Sequence, residues 1–233
     1  MWRSSDSGQG WKLVDEYTTD VIGEAETLTF IPDGGVPVGG TTQSEQDYHP
    51  VLRYSQDGQN GWSNLYDQFG YSGLYRQVSG LAVSGSAVYA TIDISDYDHK
   101  RSQVAVFRAP LDHLSQWTEF AKTPVTVPWV GFTPTWGRLI ALQDGSLLTT
   151  RGTGDEGLTK GRFETWLIRP SGQVSLTDAL TTAFNDDTWF WGSMGREVAV
   201  SAKGNIFVVG TYTTAEKALN SIVRKTGVPL LGI

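Results

Sequence analysis

The chain has 233 residues, of which 18% are charged, 39% hydrophobic and 12% aromatic, a composition typical of globular rather than disordered proteins. Its formal net charge of −7 and pI near 4.9 argue against nucleic-acid or anionic-membrane partners, because phosphate contacts need clustered Lys and Arg. The absence of Cys excludes disulfides and thiolate chemistry. No apolar run approaches the about 18 residues of a spanning helix and no signal peptide is visible, so we expect no membrane insertion.

In chain order, residues 1–11 come first and read as a strand, a tight turn and the start of a second strand. The turn has the form Ser-x-Asp-x-Gly-x-x-Trp and contains Ser4, Asp6, Gly8 and Trp11. Asp and Ser side chains can accept hydrogen bonds from turn amides, and glycine adopts backbone angles that other residues resist. We expect Trp11 to fix the turn on its sheet by burying a large apolar surface.

Two interleaved markers repeat along the rest of the chain. In the first, an apolar residue followed by Arg ends a strand-like run, and the five arginines are 50, 55, 61 and 55 residues apart. These pairs are Trp2-Arg3, Leu52-Arg53, Phe107-Arg108, Ile168-Arg169 and Val223-Arg224. The second marker is a hairpin turn between two strand-like runs. Its glycines are Gly34, Gly85, Gly145 and Gly204.

Together the markers define a unit of four antiparallel strands, A to D, with the glycine turn between A and B and the Arg pair near the end of C. Units of this size predict an all-β fold, a β-propeller with blades of four antiparallel strands. We expect a single domain over 1–233. Its complete units are expected at about 25–68, 76–122, 138–182 and 196–233.

The first segment, residues 1–17, supplies only strands C and D. The sequence therefore predicts four complete repeats plus an N-terminal half-blade, in a ring of four or five blades. Three explanations stay open: the chain is part of a longer protein or of a pair of chains, one blade is reduced, or the N-terminal strands close the ring against the last unit. Unpaired strands also favour assembly with another chain.

The C–D turns resemble those of the Asp-box (BNR-repeat) β-propellers, a group that includes sialidases and many non-catalytic proteins. The first turn matches the pattern in full, the second has Gln59 where the glycine belongs, and the third and fourth have lost the Asp. The resemblance implies a sialidase-like propeller whose Asp-box residues are structural rather than catalytic. These residues are Ser4, Asp6, Gly8, Trp11, Ser55, Asp57 and Trp62.

In such a blade the A–B and C–D turns lie on one face of the propeller, and the longer B–C and D–A loops lie on the other, which we call the loop face. Function on a rigid scaffold usually lies in such loops. Aromatic rings can stack on sugars while carboxylates accept hydroxyl hydrogen bonds, whereas packing between blades and a protein interface are the alternatives. The candidate ligand-binding residues of this kind are Tyr75, Trp129, Trp136, Trp189, Trp191, Asp96 and Asp187.

Three arginines, Arg76, Arg138 and Arg196, precede strand A in consecutive units. Strand A is the innermost strand of a blade, so these side chains are candidates to converge near the channel and to bind a carboxylate or another anion. Sialidases use an arginine triad for the carboxylate of their substrate. The alternative is that each Arg pairs with a neighbouring acid, such as Asp186 or Asp187.

An enzyme would need more than these residues. Retaining glycosidases use two carboxyl groups about 5 Å apart, and sialidases use a Tyr nucleophile. Candidates lie in no motif specific enough to assign a catalytic residue; they are Asp93, Asp96, Asp186, Asp187, Tyr75 and Tyr212. The three histidines share no metal-ligand spacing and no phosphate-binding glycine loop is present, so we expect neither a metal nor a cofactor.

The sequence thus favours a non-catalytic binding or structural module that recognises a glycan or a partner protein. An extracellular, cell-surface or virion-associated location suits such a module. The alternatives are a sialidase-like glycoside hydrolase and a purely architectural subunit of an assembly.

Overall fold

The computed structural model describes residues 1–17, 23–43, 48–65, 75–96, 101–125, 138–154, 160–183, 194–201, 205–213 and 219–226. Within these ranges the chain is all β, with seventeen strands, β1 to β17. The same ranges include no helix of the length and hydropathy needed to cross a membrane.

The strands form five antiparallel sheets within the described ranges. The half-sheet contains β1 (Trp2–Arg3) and β2 (Lys12–Leu13). The first sheet contains β3 (Gly23–Leu28), β4 (Val36–Gln43), β5 (Tyr48–Ser55) and β6 (Ser63–Asn64). The second sheet contains β7 (Tyr75–Ser84), β8 (Ala87–Asp96), β9 (Arg101–Pro110) and β10 (Thr118–Lys122).

The third sheet contains β11 (Leu139–Ala141), β12 (Leu147–Gly154), β13 (Lys160–Ile168) and β14 (Val174–Ala183). The fourth sheet contains β15 (Met194–Val200), β16 (Ile206–Thr213) and β17 (Leu219–Thr226). Each sheet is a meander in which strands pair in chain order, and consecutive sheets pack on one another. The predicted all-β propeller with four-stranded antiparallel blades is therefore confirmed. Residues 227–233, where the last strand of the predicted unit 196–233 would lie, are outside the described residues, and the single-domain prediction stays a prediction.

Three of the C strands end later than the Arg pairs predict. The strands β5, β9 and β17 each continue two residues beyond the Arg. They do so because the ladder with strand B continues to its first residue, as in the pairs Val36–Ser55 and Ala87–Pro110. The Arg pairs thus mark the approach to the C–D turn rather than the end of the strand.

The predicted turn glycines adopt the left-handed backbone that hairpin turns require. The φ angles of Gly34, Gly85 and Gly145 are 96°, 57° and 81°. In the first and third sheets an Asp completes the turn by accepting a backbone hydrogen bond: Gly35 N–H donates to Asp33 at 3.1 Å. The fourth glycine of the series, Gly204, lies outside the described residues.

The first C–D turn has the predicted internal hydrogen bonds. The amide of Gly10 donates to Asp6 Oδ1 at 2.9 Å, and the amide of Gly8 donates to Ser4 Oγ at 2.9 Å. The Ser4 hydroxyl donates to Asp6, and this bond is the main cause of a lowered pKa at Asp6. Gly8 has a φ of 89°, so its predicted role in the turn is confirmed.

The predicted burial of Trp11 is wrong. Its side chain is 62% exposed, and its indole N–H donates to the carbonyl of Gly8 at 3.1 Å. The half-sheet has only two strands, so little apolar surface is available to cover the ring. In the third C–D turn, which has lost its Asp, Trp117 is buried between the first and second sheets.

The core lies between consecutive sheets, in three apolar clusters. One joins the first and second sheets around Leu52 and Ile92, the next joins the second and third around Tyr89 and Leu147, and the last joins the third and fourth. The first and second sheets pack so closely that a Cβ on Gly39 would lie 2.3 Å from Cγ1 of Val78. Side chains that alternate along each strand therefore serve two neighbouring interfaces.

Candidate functional site

The innermost strands of three sheets carry a β-bulge at the same position in their ladders. The extra residue is Glu26 in β3, Ser79 in β7 and Arg196 in β15, each opposite the middle of strand B. Bulges bend a strand, increase its twist and redirect side chains, and they are over-represented beside functional sites. The three bulges therefore reshape the inner strands at one common level.

Arg138 lies at this level in the third sheet, because its carbonyl accepts a hydrogen bond from Thr150 N–H beside β11. Its Nη1 donates to the carbonyl of Glu26 at 2.6 Å, and its Nε lies 3.9 Å from Oε2 of Glu197. One guanidinium thus joins inner-strand residues of the first, third and fourth sheets. The carboxylate of Glu197 is largely exposed, so this charged centre faces solvent.

The three predicted arginines lie on or directly before inner strands, but at different levels. Arg76 is buried in β7 and pairs with Ile94, two ladder positions, or about 7 Å, from the Val78–Ile92 pair that flanks the bulge. Its carbonyl accepts a hydrogen bond from Thr41 at 3.1 Å. Arg196 is a bulge residue at the level of Arg138, but its side chain is not described. Convergence of the three side chains therefore stays a prediction.

The other predicted site residues are only partly described. Tyr75 begins β7, and only its backbone is described. Asp96 ends β8, is partly exposed and pairs with Arg101 at the start of β9, on the loop face. The remaining candidates lie outside the described residues: Trp129, Trp136, Asp187, Trp189 and Trp191.

A buried polar layer lies between the second and third sheets, on the half of the interface nearer the loop face. At its centre Arg151 of β12 is fully buried, and its Nε donates to Oε2 of Glu164 at 2.8 Å. Its Nη1 donates to Thr123 Oγ1 and to the Pro124 carbonyl, both at 2.8 Å. Arg151 therefore fixes the segment that leaves β10 toward Trp129.

Further contacts stabilise the charges in this layer. The guanidinium of Arg151 lies 5.1 Å from the ring centroid of Trp166, whose indole N–H donates to Glu164 at 2.8 Å. Arg162 lies 3.0 Å from the other oxygen of Glu164. Burial lowers the pKa of Arg151, whereas Glu164 and then the buried Asp93 oppose that shift, and an Arg remains charged at neutral pH.

Neither Arg151 nor Glu164 is predicted as a functional residue by the sequence. Arg151 lies on β12 and Glu164 on β13, and the two residues pair across the ladder. Two residues of opposite charge at facing ladder positions are a signal for such an ion pair. Recognising it requires the register of strands B and C, which the repeat alone does not supply.

The described residues include no cluster of three or more His, Asp or Glu side chains that could hold a metal ion. In the second C–D turn the backbone N–H groups of Asn60 and Gln59 donate to Asp57 at 2.8 and 2.7 Å. These bonds lower the pKa of Asp57 well below its ordinary value. The carboxylate is thus occupied by its own turn.

No family model matches this sequence, and a search of curated proteins finds no match. Solved structures do match. A Penicillium chrysogenum α-L-arabinanase complexed with arabinobiose is 12% identical with a TM-score of 0.58, covering 90% of this chain and 65% of that one. The intramolecular trans-sialidase from Ruminococcus gnavus is 15% identical with a TM-score of 0.55, covering 100% of this chain and 50% of that one.

A Bombyx mori GH32 β-fructofuranosidase variant in complex with sucrose is 12% identical with a TM-score of 0.52, covering 93% of this chain and 52% of that one. At these identities the likeness shows the fold alone, a propeller of the kind found in sialidases and related glycosidases. The chain spans between 50% and 65% of the length of these three structures.

Proposed function

We propose that this chain is a non-catalytic propeller module that binds a glycan where its inner strands converge. The observation that carries the proposal is the Arg138 guanidinium, which contacts inner-strand residues of two other sheets and lies beside the exposed carboxylate of Glu197. Guanidinium donors and carboxylate acceptors together match the hydroxyl groups of a sugar. The structures with the same fold named above include complexes with arabinobiose and sucrose, which supports a carbohydrate ligand.

The remaining candidates complete the proposed site. Aromatic side chains stack on sugar rings, and the polar ones bind hydroxyl or carboxylate groups. Arg151 contributes by fixing residues 123 and 124, which precede the segment that carries Trp129. The aromatic group is Tyr75, Trp129, Trp136, Trp189 and Trp191, and the polar group is Arg76, Arg196, Asp96 and Asp187.

We also propose that the turns after β1 and β5 are Asp-box turns of the sialidase-like propellers. The hydrogen bonds that Asp6 and Asp57 accept within their own turns support a structural role for both. Neither carboxylate is then free to act on a ligand.

A glycan array tests the proposal directly. We expect the full chain to bind one class of glycan, and Arg138→Ala and Trp136→Ala each to weaken that binding at least tenfold. The matched controls are Arg169→Ala and Trp11→Ala, which make the same chemical changes at exposed positions in C–D turns, on the opposite face. Absence of binding to every glycan, or equal loss in the controls, would contradict the proposal.

The alternative is a glycoside hydrolase, which is favoured by the likeness to a β-fructofuranosidase, a trans-sialidase and an arabinanase. Turnover of fluorogenic sialosides, arabinofuranosides and fructofuranosides measures this hydrolase activity. Activity that Arg138→Ala reduces and Arg169→Ala leaves intact would establish the enzyme and overturn the non-catalytic assignment.

A further inference from the structure

The second C–D turn contains the one Asn-Gly step of the chain, Asn60-Gly61. Both residues are exposed. An asparagine followed by glycine is prone to spontaneous deamidation, because the glycine backbone nitrogen can attack the side-chain carbonyl carbon without hindrance from a Cβ. Whether this step reacts in the folded chain therefore depends on what holds the glycine nitrogen and the asparagine side chain.

The backbone nitrogen of Gly61 is open to reaction. Within the described part of the chain its N–H donates no hydrogen bond, and a Cβ built on this glycine would meet nothing within 4 Å. The next asparagine, Asn64, is also exposed, but it is followed by Leu65, whose N–H donates to the carbonyl of Leu52 at 2.7 Å. Asn60 and Asn64 thus form a matched pair in one hairpin, the first with an open backbone nitrogen after it and the second with a hydrogen-bonded one.

The Asp57 carboxylate holds Asn60 by two hydrogen bonds. The Asn60 N–H donates to Asp57 Oδ1 at 2.8 Å, and its side-chain Nδ2 donates to Oδ2 at 3.2 Å. The Ser55 hydroxyl donates to the Asn60 carbonyl at 2.6 Å. The backbone of Asn60 is therefore fixed, whereas its side chain is attached by one longer bond at an exposed position. When that bond opens, the side-chain carbonyl carbon can turn toward the Gly61 nitrogen.

We propose that Asn60 deamidates spontaneously in the folded chain and that the reaction loosens the second C–D turn. The Gly61 nitrogen loses its proton and bonds to Cγ of Asn60, the Cγ–Nδ2 bond breaks, and Nδ2 leaves as ammonia. Water then adds to either carbonyl of the cyclic succinimide and opens the ring. The product is aspartate or isoaspartate, and in isoaspartate the main chain continues through the side-chain carbon. Water is the only other reactant.

Both products remove contacts that hold the turn closed. The Nδ2 donor is lost, and a carboxylate forms beside the Asp57 carboxylate, where like charges repel. In isoaspartate the carbonyl that accepts from Ser55 also leaves the main chain and becomes the free carboxylate. The change extends to the half-sheet, because the backbone carbonyl of Asp57 accepts a hydrogen bond from Arg3 at 3.2 Å.

The test follows deamidation in the full chain, kept folded at mildly alkaline pH. Peptide mapping by mass spectrometry measures the loss of the amide at each asparagine, and a protein isoaspartyl methyltransferase labels the isoaspartate formed. We expect Asn60 to react at least tenfold faster than Asn64. Gly61→Ala places a methyl group beside the reacting nitrogen and should slow Asn60 at least fivefold. Because this variant also strains a backbone with a φ of 63°, Asn64 in the same digest serves as the internal control.

The effect on the turn is measured in Asn60→Asp, which contains the aspartate product from the start. In an NMR titration the pKa of Asp57 should be higher than in the unaltered chain. The amide of Gln59, which donates to Asp57 at 2.7 Å, should exchange its hydrogen at least fivefold faster. Asn64→Asp makes the same change of charge in the same hairpin and should leave both measurements unaltered.

Three results would overturn the inference. Equal rates at Asn60 and Asn64 would show that the open glycine nitrogen is not decisive. Deamidation of Asn60 only after unfolding in urea would show that the folded turn protects it. An unchanged Asp57 pKa and unchanged Gln59 exchange in Asn60→Asp would show that the turn tolerates the second carboxylate.

Discussion

Two neighbouring interfaces of this propeller are built from different chemistry. Between the first and second sheets, apolar side chains such as Leu52, Val78 and Ile92 form one continuous cluster. Between the second and third sheets, the half nearer the turns is apolar, but the half nearer the loop face contains the Arg151–Glu164 ion pair and buried Asp93. The same fold and strand order therefore accommodate both an apolar and a partly charged interface between sheets.

The two interfaces act differently on the residues around them. Apolar burial stabilises without regard to direction, whereas buried charges fix their partners in one geometry and cost free energy when a partner is lost. The charged interface is the one whose hydrogen bonds reach Thr123 and Pro124, at the start of a loop-face connection. The directional contacts of this interface thus fix the residues that directly follow β10.

The largest expected effect comes from removing one partner of the buried pair. Glu164→Ala leaves the Arg151 charge buried without its carboxylate partner and should destabilise the fold by about 4 kcal/mol. Urea unfolding measures the change. The double variant Arg151→Met, Glu164→Leu removes both charges and should recover most of the loss; equal destabilisation in both variants would show that the charges themselves are not the cause.

The next prediction compares the two tryptophans Trp117 and Trp11, which both follow C–D turns. Trp117→Ala empties a buried position in the apolar interface and should cost about 3 kcal/mol. Trp11→Ala removes an exposed ring and should change the free energy of unfolding by less than about 1 kcal/mol. Similar losses in thermal or urea unfolding would mean that Trp11 is covered in solution.

A smaller effect tests how tightly the first interface is packed. Gly39→Ala places a methyl group within 2.3 Å of Val78 Cγ1 and should destabilise the fold by about 2 kcal/mol. Because the obstacle is a side chain, Val78→Ala in the same chain should recover part of this loss. A double-mutant cycle measures the coupling, and strictly additive effects would contradict direct contact.

The smallest effect lies outside both interfaces, at the Asp57 turn. Hydrogen bonds from Asn60 and Gln59 depress the pKa of Asp57 in the folded state below its ordinary value of 3.8. The stability from this group is therefore present above the ordinary pKa and is lost as the pH falls below it. Between about pH 5 and 2, the free energy of unfolding should fall less steeply for Asp57→Asn than for the unaltered chain.

Much of the fold could be predicted because it repeats along the chain. The glycines and Arg pairs recur at similar intervals of 50 to 61 residues. Local backbone preferences act within a few residues, so the hairpins and the four-strand units follow from the sequence alone. The bulges at Glu26, Ser79 and Arg196 could not be predicted, since each depends on the register between two strands.

The class of fold and the chemistry of the turns follow from the amino-acid sequence alone. Only the tertiary structure decided that Trp11 is exposed, that Arg76 and Arg138 lie at different levels, and that Arg151 pairs with Glu164 inside an interface. The physical reason is that turns are formed by neighbours in the chain, whereas burial and charge pairing depend on which sheet packs against which.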